Sequence, residues 1–306
     1  MTRREEQHIG RVKILLAHLS DPHIGPLPSL RRRDLIGKRV TGYLNWKRSR
    51  SRAHDMGVLA QIVADLRAHH PSHIAVTGDI ANIGLPAEFH LARTWLETLG
   101  DPEDVSFVPG NHDAYVRGSL PGLARIFAPW TTGETRGAQQ FPYLRVRENV
   151  AFIGLSSGIP TPLFIASGYL GERQLDAAEK LLVETARSGL VRVVMLHHPP
   201  EASASRIGRG LTDARRFGAL IGRAGAELII HGHNHKLCTT RLQGPGGLVP
   251  VIGVPSASAI RGKPRHRAGY HLFEISGGGG DCKITGRARG LLPGTMVVGD
   301  LGPLIL

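Results

Sequence analysis

Cysteine is nearly absent: Cys238 and Cys282 are the only two in 306 residues. Two cysteines make no disulfide framework, and neither has a neighbour at zinc-site spacing. A disulfide-stapled scaffold is therefore excluded, and the pair fits a reducing, cytoplasmic setting with room for at most one bond. Long apolar runs are missing too, so no stretch is read as a membrane span. The N-terminal MTRREEQHIGRVKILLAHLSDPH has charge and then a short apolar run, but no small-residue cleavage site. It reads as a first strand rather than a signal peptide. Acids are scarce, 25 against 38 Lys and Arg, for a formal net charge of +13. Between Arg31 and Arg52 nine basic residues face one acid, Asp34. That segment suits a phosphate-rich substrate, nucleic acid or an anionic membrane surface, and equally a solvated loop of a basic protein.

The remaining composition is ordinary for a soluble globular protein, with 41% hydrophobic and 21% charged residues. Ile14 to His18 is a short apolar run. Met56, Leu59, Ile62, Val63 and Leu66 share one face of a helix over about 53–70. Ser72 to Thr77 reads as a buried strand, Pro86 to Leu99 as a helix, and Val105 to Val108 as a strand. Tyr143 to Ser156 alternates as a hairpin does. Gly171 to Ser188 is an amphipathic helix, and Val191 to Leu196 and Ala226 to Ile230 are strands. Thr212 is expected to cap a helix reaching Ala224, with Asp213 in its first turn. From Lys236 to Ile284 alternating runs look like antiparallel strands, with a corner at Gly277 to Gly280. No linker or repeat divides the chain. The expectation is one domain over 1–306, two packed sheets with helices outside, and a basic insert at about 26–52.

Five short motifs fall where strands should end: Asp21-Pro22-His23, Gly78-Asp79, Gly110-Asn111-His112-Asp113, His197-His198-Pro199 and Gly232-His233-Asn234-His235. In open α/β sheets, ligands gather beyond the carboxyl ends of strands. The motifs supply two carboxylates, an amide oxygen and four imidazoles, enough to hold two divalent metals, and paired metals hydrolyse phosphate esters well. Singly each motif is weak: a turn explains DxH, an N-cap explains Asp79, and a turn explains Asn-His. Jointly they favour a dinuclear phosphoesterase. Asp79, with two oxygens, is the expected bridge, and Asn111 offers its oxygen to the second metal. His112 can donate a proton or steady the phosphate, with Asp113 holding its ring. Adjacent strand residues point apart, so one of His197 and His198 is expected to ligate. His231 reads as a support. His54, His69, His70, His73, His90, His266 and His271 read as surface or core residues.

The set resembles the calcineurin-like metallophosphoesterase superfamily, whose pattern is DxH, GDxx, GNHD/E, H and GHxH, over Asp21 to His235. The resemblance implies a four-layer α/β/β/α sandwich of two mixed sheets with the metals at its edge. It implies that Asp21, His23, Asp79 and His235 hold one metal, and Asp79, Asn111, His197 and His233 the other. It picks His197 over His198 and puts His112 on the phosphate side. A water activated by the two metals would attack the phosphorus. Mixed oxygen and imidazole ligation suits Mn, Fe, Zn or Co, and the lack of a thiolate argues against a structural zinc cage.

SDPH, TGDIAN, PGNHD, LHHPP and HGHNH look like the bacterial cyclic-nucleotide phosphodiesterase branch. A phosphodiester of cyclic-nucleotide or glycerophosphodiester type is the first expectation. The alternative is a UDP-2,3-diacylglucosamine-type pyrophosphatase. In that reading Leu35, Ile36, Val40, Tyr43, Leu44 and Trp46 would rest the insert on the inner membrane surface. Nucleic acid ranks third, since no recognition fold accompanies the charge. A metal-free interaction scaffold is the reading from another class, and the complete ligand set argues against it.

Overall fold

The computed structural model describes residues 13–134, 140–201 and 208–306. Residues 1–12, read as leading into a first strand, lie outside them. The described strands are β1 (Lys13–Leu19), β2 (His73–Val76), β3 (Val105–Phe107), β4 (Tyr143–Arg147), β5 (Val150–Gly154), β6 (Val191–Met195), β7 (Leu228–His231), β8 (Cys238–Gly244), β9 (Gly247–Gly253), β10 (Gly269–Ser276), β11 (Lys283–Leu291) and β12 (Val298–Leu304). They form two six-stranded sheets, ordered β12-β11-β10-β1-β2-β3 and β4-β5-β6-β7-β9-β8. Both are mixed: β1 runs parallel to β2 and antiparallel to β10, and β7 runs parallel to β9, which is antiparallel to β8.

The period-2 pattern of the strands builds the layers. In β1, Ile14 and Leu16 pack into a core with Val193, Met195, Ile230 and Phe273, between the sheets. Ala17 and Leu19, on the opposite face, join Leu59, Ile62 and Leu66 of the helix Met56–Ala68. The second sheet is covered by the helices Glu172–Arg187 and Ala214–Ala224, through Leu175, Leu182, Phe217 and Ile221. The result is the expected α/β/β/α sandwich. Alternating apolar residues on both faces of a strand can be buried only in this way.

Three local expectations change. Thr212 does not cap its helix: Asp213 occupies that position, and its carboxylate accepts from the Leu170 and Gly171 N–H groups instead. The hydroxyl of Thr212 donates to the Gly168 carbonyl. The basic insert is helical over Lys38–Asn45 and continues without a break into a wider, π-type turn at Trp46–Arg50. Strand β12 and the helix Leu120–Phe127 were not expected. The helix is strongly amphipathic, burying Leu123, Ile126 and Phe127, but Pro121 and Gly122 near its start disguise it in the sequence. In β12, Gly299, Gly302 and Pro303 do the same.

Candidate metal centre

Each of the five motifs follows a strand end: β1, β2 and β3 in one sheet, β6 and β7 in the other. Parallel pairing of β1, β2 and β3, and of β6 and β7, puts these ends on one edge. Backbone bonds lock the loops together: Asp21 N–H donates to the Gly78 carbonyl at 2.9 Å, and Gly232 N–H to the His197 carbonyl at 3.1 Å.

The side chains converge in two groups around Asp79. On one side His235 Nε2 lies 3.0 Å from Asp21 Oδ1 and 3.3 Å from His23 Nε2, and His23 Nε2 lies 4.0 Å from Asp79 Oδ2. On the other, His197 Nε2 lies 3.3 Å from the same Asp79 Oδ2 and 3.2 Å from His233 Nδ1. His233 Nδ1 is also 3.0 Å from Asn111 Oδ1. All seven sequence-derived ligands are therefore in one place, with Asp79 between the two groups.

This donor set fits divalent metals. Ring nitrogens face one another across distances at which two lone pairs repel. Asp21 Oδ1 is buried without a hydrogen-bond partner, although His235 is near. Donors that approach so closely without sharing protons are satisfied by a common cation. The far ring nitrogens are already used: His23 Nδ1–H donates to the Ala81 carbonyl, and His197 Nδ1–H to the Thr77 carbonyl at 2.6 Å. Those bonds leave the inward nitrogens free to ligate. Burial pulls the His197 imidazole down, but the Asp79 and Asp21 carboxylates overcome it and hold it up at about 9. The two carboxylates thus favour positive charge at His197. Burial holds His23 and His233 well below the usual imidazole range, in the neutral form that binds metal.

His198 turns away. Its Nδ1 meets Ser157 Oγ at 2.8 Å and its Nε2 the Ala166 carbonyl at 3.1 Å, so both nitrogens are engaged. His231 is buried beneath, with Nδ1 on the Gly232 carbonyl.

His112 has a different partner from the one expected. Asp113 does not hold its ring. The Asp113 carboxylate accepts from the N–H groups of Asp79, Ala81 and Gly110, at 2.7, 2.9 and 2.8 Å. Asp113 thus clamps the second motif to the third. Its chain neighbour position made a ring contact look natural, but its side chain points back under the loop. The His112 ring is set by Nδ1–H donating to the Asn82 carbonyl at 2.5 Å, and its Nε2 meets Arg50 Nη2 at 2.6 Å. Burial, then the Arg50 charge, hold His112 down to about 3.

Two residues escaped the sequence reading. Arg50, at the end of the π-type turn, is half-buried over His112. His54 brings a third imidazole to within 4.8 Å of the ligand nitrogens of His23 and His235, and its Nδ1 bonds Ser258 Oγ at 2.8 Å. Arg50 comes from the insert, whose cations are indistinguishable by composition, and His54 lies two residues beyond it. The signal for His54 is weak even in hindsight: it immediately precedes Asp55, the N-cap of the helix Met56–Ala68. The centre opens to a cavity of about 430 Å³, lined also by Arg209, Lys236 and His266.

Comparisons with known proteins bear on the family and the fold. A probable cyclic nucleotide phosphodiesterase from Synechococcus sp. is 27% identical over 222 residues, which cover 71% of this chain and 76% of the relative. A dimetal phosphatase from Danio rerio shares the fold at a TM-score of 0.54 and 13% identity, over 89% of this chain and 98% of that one. A purple acid phosphatase from yellow lupin (Lupinus luteus) seeds shares it at 0.55 and 11%, over 91% of this chain and 52% of that one. The family model described as calcineurin-like phosphoesterase matches residues 14–237, and the chain belongs to that family.

Proposed function

We propose that this metallophosphoesterase hydrolyses a phosphodiester of cyclic-nucleotide or glycerophosphodiester type. Asp21, His23, Asp79 and His235 would hold one divalent metal, and Asp79, Asn111, His197 and His233 the other. The observation that carries the reading is the shared Asp79 Oδ2, 4.0 Å from one imidazole group and 3.3 Å from the other, at the floor of an open cavity. When bound, such a metal pair supplies Lewis acidity and an activated water. The chain's own residues do the rest. Asp113 fixes the loop that carries Asn111, and His112 Nε2 faces the cavity as a hydrogen-bond acceptor beside Arg50. The Synechococcus relative's name favours the diester.

The test is metal analysis of purified protein with hydrolysis of bis(p-nitrophenyl) phosphate and p-nitrophenyl phosphate in Mn. The reading predicts two metals per chain and preference for the diester. Asn111→Ala should cut turnover by about 100-fold or more with the fold intact. Turnover equal to wild type would remove Asn111 from the centre.

A second reading has its own observation. Ile36, Val40 and Leu44 recur every four residues along the insert and are 70%, 39% and 43% exposed. With Lys47 and Arg48 beside them, they form a face suited to an anionic lipid surface and a lipid-linked pyrophosphate. A screen of cyclic nucleotides, glycerophosphodiesters and UDP-2,3-diacylglucosamine separates the two readings.

A further inference from the structure

We propose that Arg50 touches the substrate: its guanidinium donates to the non-bridging oxygens of the scissile phosphate beside His112, making hydrolysis depend on the insert. The proposal rests on the phosphoesterase reading above.

Arg50 lines the same cavity as Asp79, Asn111, His112 and His233. Among the described residues its hydrogen-bond partner is His112, and no carboxylate lies within ion-pair reach. The ring can satisfy little of it. His112 Nδ1 spends its proton on the Asn82 carbonyl, so only Nε2 accepts, from Arg50 Nη2. A guanidinium carries five N–H donors in a fixed fork. At most one finds the ring, and the others open on the cavity side, where an incoming anion can meet them. Phosphate oxygens match that fork, two donors to two acceptors.

The backbone holds Arg50 in place. The helix widens at Trp46–Arg50, and such π-type turns recur at functional sites because they re-aim a side chain. On the far side the chain is pinned: Asp55 N–H donates to the Ser258 carbonyl and Ile260 N–H to the Ala53 carbonyl, each at 2.9 Å. On the near side Arg39 Nη2 donates to the Gly84 carbonyl at 2.7 Å. The insert is thus docked against the loop that follows Asp79. Arg209 and Lys236, also on the cavity wall, have no acidic partner among the described residues, so they add positive charge beside Arg50. Arg187, in the last turn of the helix Glu172–Arg187, is exposed and does not line the cavity.

The experiment compares wild type, Arg50→Ala, Arg50→Lys and the control Arg187→Ala, all loaded with Mn. Three quantities are read: metal content, inorganic phosphate affinity by calorimetry, and kcat and KM on bis(p-nitrophenyl) phosphate. Arg50→Ala should keep its metals, bind phosphate about tenfold more weakly and lose about 100-fold in kcat/KM. Arg50→Lys should recover part of the loss, and added guanidinium ion should partly rescue Arg50→Ala. Arg187→Ala should match wild type. Phosphate affinity and kcat/KM within about twofold of wild type in Arg50→Ala would overturn the proposal. Loss of metal in both Arg50 variants would also overturn it, making the residue structural. If wild type hydrolyses no ester, the enzymatic reading fails and takes the hydrolytic role of Arg50 with it; phosphate affinity that still falls in Arg50→Ala would then support the phosphate contact alone. If wild type binds no phosphate, the inference fails.

Discussion

Five of the seven proposed ligands sit in left-handed backbone: Asp21, His23, Asp79, His233 and His235 have φ between 42° and 68°. Non-glycine residues adopt that region at a cost on the order of 1 kcal/mol each. Strain concentrated this way marks a functional site. Neighbouring glycines make it possible. Gly78 has φ of 97°, and a Cβ there would lie 2.6 Å from Gly110 N and 2.7 Å from His197 Nδ1. Gly78→Ala should therefore destabilise the protein by about 2 kcal/mol or more in urea denaturation and lower its metal content. Wild-type values for both would show that the loops tolerate looser spacing. A second prediction concerns buried imidazoles away from the centre. Burial, then His231, hold His271 down to about 3, and burial, then Arg145, hold His73 well below its usual range. An unfolded imidazole titrates near ~6.5. Below that pH the unfolded chain takes up protons that the folded chain refuses. Stability is therefore full above pH ~6.5 and falls on acidification, for His271 down to about 3. The urea midpoint should drop between about pH 7 and 5, and His271→Phe should flatten the slope by about one proton. An unchanged slope would contradict this assignment.

At the level of elements, the strands and their terminal motifs were legible because two signals coincide there. Val191 to Leu196 is apolar and β-branched, and His197 follows it directly; β6 and the histidine at its end needed no tertiary information. The helix Glu172–Arg187 was equally plain from its buried Leu175, Ala178 and Leu182. What the sequence hid is contact across long separations. Arg50 meets His112 over 62 residues, and His54 meets Ser258 over 204. Neither pairing leaves a local pattern, and nine similar cations surround the question of which one turns inward. Asp113 shows the opposite error, where adjacency to His112 suggested a contact that the loop backbone claims instead. The insert also carries a prediction of its own. Val40→Glu with Leu44→Glu should leave bis(p-nitrophenyl) phosphate hydrolysis within about twofold of wild type. If the lipid-linked reading holds, the same pair should abolish co-sedimentation with phosphatidylglycerol vesicles and turnover of UDP-2,3-diacylglucosamine. If wild type shows neither, the exposed face has no part in substrate choice.

Over the whole molecule, the centre joins the two sheets. Asp21, Asp79 and Asn111 follow strands of one, and His197 and His233 follow strands of the other. Metals held between them would tie the sandwich along one edge, so binding and folding should be linked. A ligand at about 1,000 times its Kd stabilises the native state by roughly 4 kcal/mol per site. Chelation should therefore lower Tm by several degrees, restored by Mn; an unchanged Tm would mean the sheets do not share the load. The most direct test of the central claim is anomalous diffraction from a crystal grown with Mn. Two peaks about 3.5–4 Å apart, with a carboxylate oxygen of Asp79 bridging them, are expected. A single peak, or peaks that Asp79 does not touch, would contradict the account.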